Sequence, residues 1–175
     1  PPNIKKLKAR RKVKGLIKAL DHKDWHVRKA AALALGEVGD KRGAEPLIEM
    51  LDDMNKEVRS ASVESLGELG DKNAIQPYGL KKRAANAIVS YLLRGGVSTA
   101  PEALVKIGGT AVTSNISSKL LRGMSWNSRW MRFGKTFFNI LGQIGNRESL
   151  ATLLRYIKHS ELKGDRYVYP YPEKA

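Results

Sequence analysis

Apolar residues recur at helical spacing through the first half of this chain, and the whole pattern then repeats 31 residues further on (27 to 58). Val27, Ala30, Ala31, Ala34, Leu35 and Val38 follow i, i+3, i+4 spacing and predict one stripe along an amphipathic helix. Asp24 is placed to cap that helix at its start, and Gly39 permits a left-handed residue at its end. Asp40 can open the next short turn. A second short helix follows, with Ala44, Leu47, Ile48 and Leu51 on one side and Pro46 tolerated near its start. Val27-Arg28 returns as Val58-Arg59, Leu35-Gly36 as Leu66-Gly67, Gly39-Asp40 as Gly70-Asp71, and Asp24 as Asn55.

A repeat of this length marks a supersecondary unit that is stacked along the chain. Helices shorter than about 12–15 residues are marginal alone in water, so each must bury its stripe against a neighbour. The dense alanines of the first helix (Ala30, Ala31, Ala32, Ala34) allow close approach of two backbones. The expected fold is therefore all-α, an α-solenoid of about four stacked antiparallel helix pairs. Residues 1–20 read as a basic lead-in helix with Ile4, Leu7, Val13, Leu16 and Ile17 on its apolar side. Residues 21–163 read as the solenoid, in units near 21–51, 52–80, 81–122 and 123–163, and residues 164–175 as a Tyr/Pro-rich tail that either caps the last repeat, the preferred reading, or hangs free.

The string VRKAAALALGEVGD, then AEPLIEML, then EVRSASVESLGELGD, resembles the HEAT-like repeats first associated with phycobiliprotein lyases. That pattern has Val-Arg early in the first helix, Leu-Gly near its end and Gly-Asp in the turn, and all three occur twice over residues 21–76. ALVKIG (103–108) and ILGQIG (140–145) carry it in degenerate form, with Asn146 in place of Asp40 and Leu150, Leu153, Leu154 and Ile157 as the buried side of a last helix. KKRAANAIVSYLL resembles RKAAALALGEV and equates Ile88 with Leu66, which leaves unit two about nine residues short. A loop missing between Pro77 and Tyr78 would account for that, leaving their carbonyl carbon and nitrogen beyond peptide-bond distance. A real deletion is the alternative.

Composition narrows the function. The chain has 175 residues and no cysteine, which rules out disulfides, thiolate chemistry and Cys-based zinc sites. No apolar run approaches the ~20 residues that span a bilayer, and a cytoplasmic location is expected. His22, His26 and His159 form no His-Glu pair of the sort HEAT-type di-iron hydroxylases use, and LRGG (93–96) lacks the Lys-Ser/Thr of a phosphate loop. Some relatives are phycobilin lyases, but a shared fold does not transfer a site. No catalytic residue, metal or cofactor is expected.

The net charge is +15, distributed as +8 over residues 1–20, −4 over 21–80 and +11 over 81–175. A solenoid presents an extended concave face built from its second helices. Glu45, Glu49 and Met50 stand on that face at one end and Thr152, Arg155 and Lys158 at the other, with Trp25 as a further contact beside the first cap. A protein-binding scaffold with no enzymatic role is the leading expectation. The alternative is a nucleic-acid binder using Lys5, Lys8, Arg11, Lys12 and Lys18 with Arg122, Arg129, Arg132, Lys135 and Arg147, and Trp126 and Trp130 interleaved. Trp130, Phe133, Phe137 and Phe138 equally suit a packed terminal core. Arg28 and Arg59 read as rungs of a structural ladder, with Asp40, Asp52 and Asp53 as candidate partners.

Overall fold

Asp24 caps the first long helix as its chemistry predicts: its carboxylate accepts from the His26 amide at 2.9 Å. Asn55 does the same for Glu57 at 2.8 Å, one repeat later. The computed structural model describes residues 2–76, 78–96, 99–122 and 128–162. Among these the regular elements are helices: α1 (Ile4–Ala9), α2 (Val13–Ala19), α3 (Trp25–Val38), α4 (Ala44–Glu49), α5 (Lys56–Asp71), α6 (Tyr78–Leu93), α7 (Ala100–Ile107), α8 (Gly109–Arg122), α9 (Ser128–Ile144) and α10 (Arg147–Leu162). They form two layers. The first helices pack in series, α3 on α5, α5 on α7 and α7 on α9, and the second helices likewise, α4 on α6, α6 on α8 and α8 on α10. This is an all-α solenoid.

The first layer is held by close backbone approach. A Cβ placed on Gly36 would lie 2.8 Å from the Cα of Ser65, one on Gly67 2.9 Å from the Cα of Ala103, and one on Gly70 2.7 Å from the Cα of Ile107. Gly36 and Gly67, 31 residues apart, are thus contact points between successive helices, as is Gly70, and the Ser65 hydroxyl donates across the first to the Ala32 carbonyl at 2.8 Å. Leu35, Leu66, Leu104 and Leu141, the same position in four helices, are fully buried. The second layer is zipped instead by polar side chains. Asn115 bonds Asn86 across α6 and α8, Ser117 and Thr152 lie 2.6 Å apart across α8 and α10, and Thr113 and Ser149 lie 3.4 Å apart.

Three expectations change. The lead-in is two short helices, because Arg11 takes a left-handed conformation (φ 49°) and the Arg11 and Lys12 amides close the turn on the carbonyls of Lys8 and Leu7. The segment KKRAANAIVSYLL does not open unit three. It lies in α6, which runs across the 80/81 boundary and packs on α4 and α8 as a second helix. The opening helix of the third pair is α7, so the register equating Ile88 with Leu66, and the nine-residue shortfall drawn from it, have no basis. Leu66 and Leu69 are fully covered. Pro77, and with it the Pro77–Tyr78 junction, lies outside the described residues, as does the tail. Finally, Leu150 and Leu154 are 54 % and 66 % exposed, since α10 is the last second helix among the described residues and only its inner side meets α8 and α9.

Of the two arginines expected to form a ladder, Arg28 pairs with a carboxylate, that of Asp53, while Arg59 bonds the carbonyls of Asp53 and Met54. Arg28 donates to both carboxylate oxygens of Asp53, from Nε at 2.7 Å and from Nη2 at 3.0 Å, and from Nη1 to the carbonyls of His22 and Lys23. Asp40 pairs instead with Arg42, and Asp52 with Arg94. Burial pushes the Asp53 carboxyl up, but the Arg28 hydrogen bonds, the Asn55 amide and the charges of Arg28 and Arg59 outweigh it and hold the group below its usual range. The Asp40 carboxyl is lowered to about 2 by its hydrogen bonds with Arg42.

Gly36→Ala should destabilise the fold by about 1–3 kcal/mol, because the new Cβ meets backbone that has no room to move. Gly142→Ala in α9, where nothing among the described residues lies within 4 Å of the new methyl group, should stabilise it by about 0.5–1 kcal/mol. Urea denaturation of both variants checks the contrast. Asp53→Asn should cost roughly 2 kcal/mol at neutral pH by breaking a charged, forked bond. A carboxyl with a depressed folded pKa stabilises above its unfolded value, ~3.9, and that contribution is lost as pH falls through the folded value. The acid limb of the stability profile should therefore be flatter in Asp53→Asn than in the parent, as followed by thermal melts over that pH range.

Candidate interaction surfaces

Ion pairs join successive first helices. Lys29 of α3 bridges Glu57 of α5 at 3.0 Å, and Lys106 of α7 bridges Glu68 of α5 at 2.7 Å. Both carboxyls are held below their usual range, foremost by those lysine hydrogen bonds. Cations also close the C-terminal end of α3, whose last carbonyls have no partner inside the helix. Arg11 donates to the Val38 carbonyl at 2.9 Å from one side, and Lys72 to those of Gly36 and Glu37 at 3.1 and 3.0 Å from the other. Positive charge at a helix C-terminus also complements its dipole.

These contacts thin the expected basic N-terminal surface. Lys8 bridges Glu37 and Arg11 closes α3, so two of its five cations are engaged in the fold. Lys5, Lys12 and Lys18 remain exposed, as do Lys135 and Arg147 toward the other end. Trp126 lies outside the described residues, and so do the side chains of Arg122, Arg129, Trp130, Arg132 and Phe133. Phe137 is fully buried and Phe138 packs against the core, as a terminal hydrophobic cluster requires. Trp25 is half-buried and stacks on the His26 ring, centroids 3.7 Å apart.

On the second-helix layer the expected residues separate. Glu49, Arg155 and Lys158 are exposed and Met50 is half-buried. Glu45 is also half-buried and pairs with Arg83 of α6 at 2.7 Å, which ties α4 to α6. Thr152 does not belong to the surface. It is 5 % exposed, donates to the Glu148 carbonyl at 2.9 Å and faces Ser117 of α8. Reading α6 as a first helix hid two residues that the structure places here, the exposed Lys82 and Arg83. Their signal was present as the basic run that opens α6.

A different cluster gathers where α6 ends. Asp52, Asp53, Arg59, Tyr91, Arg94 and Gly95 line an open cleft of about 280 Å³ between the turn before α5 and the last residues of α6. Among the described residues there is no group of His, Asp and Glu side chains that could hold a metal ion, and no helix long and apolar enough to cross a membrane.

Comparison with known proteins agrees with this architecture. The family model for HEAT repeats matches residues 13–91. The crystal structure of an engineered protein, a Northeast Structural Genomics Consortium target, superposes with a TM-score of 0.58 at 20 % identity, covering 95 % of this chain and 76 % of that one. No curated protein sequence matches the chain. Repeated helix pairs, the glycine and arginine positions they share, and the family match over α2 to α6 mark residues 13–91 as HEAT repeats within an all-α solenoid.

Proposed function

We propose that the chain is a non-catalytic scaffold that binds a protein partner along its layer of second helices. The observation that carries this reading is the change of sign along the second-helix layer. Glu49 of α4 is exposed at one end, and Lys82 of α6 with Arg155 and Lys158 of α10 are exposed toward the other. A surface graded in sign orients a partner and speeds its approach more than it tightens the complex. HEAT repeats generally serve as interaction scaffolds, which supports the reading at the level of the fold.

A second reading, nucleic-acid binding, rests on the net charge of +15 and on the exposed Lys5, Lys12, Lys18, Lys135 and Arg147. Backbone neutralisation by such residues would make affinity steeply salt-dependent.

Two measurements separate the readings. Affinity capture with the parent and with the pair Arg155→Glu plus Lys158→Glu, compared by quantitative mass spectrometry, should show a partner protein lost with the variant, and equal recovery would remove the second-helix face. Titration with duplex and single-stranded oligonucleotides should show no binding under the scaffold reading, whereas a phosphate binder loses orders of magnitude in affinity between about 50 and about 200 mM salt.

A further inference from the structure

The two ladder arginines are anchored alike and finished differently. Arg28 sends Nη1 to the carbonyls of His22 and Lys23, six and five residues earlier. Arg59 sends Nη1 to those of Asp53 and Met54 at 2.7 and 3.0 Å, again six and five residues earlier. The remaining edge of the Arg28 guanidinium grips the Asp53 carboxylate, supplied by the turn that opens the next pair. The turn that opens the pair after that reads Arg94-Gly95-Gly96-Val97-Ser98-Thr99 and contains no carboxylate. Among the described residues, nothing bonds to Nε or Nη2 of Arg59.

That edge belongs to the half-buried arginine lining the cleft. The charges around it balance apart from Arg59 itself. Asp53 is held by Arg28 and by the Asn55 amide, and Asp52 by Arg94 at 2.9 Å. Three arginines thus face two aspartates, and the surplus cation is the one with two uncommitted donors. A planar guanidinium fixed at one nitrogen is preorganised to take a carboxylate through the other two, in the geometry Asp53 shows next door.

We infer that this cleft is a binding site for an acidic side chain on a loop of a partner protein, which inserts an Asp or Glu carboxylate against Arg59 in the position that Asp53 occupies against Arg28. The site lies at the turns between helix pairs, where α6 ends, and uses none of Glu49, Lys82, Arg155 and Lys158 of the scaffold face.

The test is an NMR titration of the full chain, reading arginine Nε–H signals and the Gly95 and Gly96 amides, with the blocked tripeptide acetyl-Gly-Asp-Gly-amide as probe. Its Asn counterpart and inorganic phosphate are the comparison arms. The Arg59 Nε–H signal, identified by its loss in Arg59→Lys, should move saturably with the Asp tripeptide and stay still with the Asn one. The Arg28 signal, already locked, should not move. Arg59→Lys should weaken the response of the glycine amides about tenfold, since lysine cannot make the fork. The Arg28 Nε–H signal and the amides of α3 should keep their positions in Arg59→Lys, which guards against a loss caused by local unfolding. Arg155→Glu plus Lys158→Glu should leave the titration unchanged. No saturable movement of Arg59, equal movement with the Asn tripeptide, tighter binding of phosphate than of the Asp tripeptide, or undiminished binding in Arg59→Lys would each overturn the inference.

Discussion

The distance between successive first helices governs this structure. Gly36, Gly67 and Gly70 leave no room for a single methyl group, so α3, α5 and α7 sit with their backbones nearly touching. At that separation side chains cannot interdigitate across the contact, and cohesion passes to what lies beside it. The buried leucines one residue before Gly36 and Gly67 fill the space toward the second layer, and Ser65 reaches the Ala32 carbonyl. Stacked helix pairs contact only their neighbours, so a local spacing of this kind is repeated until the sequence changes it. It does change at α7, where Val105 follows Leu104 in place of glycine.

Close packing also brings helix ends together, and the ionic features follow from that. The last carbonyls of α3 lie within reach of α2's approach on one side and the end of α5 on the other, and each supplies a cation. The turn before α5 lies within reach of Arg28 and supplies a carboxylate. Much of what composition presents as a basic surface is therefore consumed in joining pairs. Exposed charge remains on the lead-in and on both layers, and at Arg59 the stacking leaves a guanidinium with no carboxylate bonded to it among the described residues.

The first two pairs were legible in the sequence because their period is constant: capping residue, arginine, leucine and glycine all recur 31 residues apart and each has a single local reason to be there. The third pair was not, because α6 carries 16 residues where α4 carries six, and a long amphipathic second helix has the same spacing as a first. Helical periodicity says that a stripe is buried, and says nothing of the layer it is buried in. Thr152 failed for a related reason: a threonine is equally at home on a surface or in a polar seam, and only the neighbouring Ser117 decides. The leucines of α10 were assigned to a core because apolar spacing implies a covering partner. Arg59 read as a rung like Arg28 because a sequence repeat shows the donor and cannot show that its acceptor is absent from a neighbouring turn.

The change of residue at Val105 has a consequence for how the molecule comes apart. In a one-dimensional stack, resistance to opening is set by the coupling between adjacent pairs rather than by any global core. Glycine contacts bind α3, α5 and α7 into one cooperative block, and coupling beyond it depends on ordinary side-chain packing and a hydroxyl seam. Fraying should therefore start from α9 and α10 and halt at the α5–α7 contact, giving amide protection in two tiers along the chain.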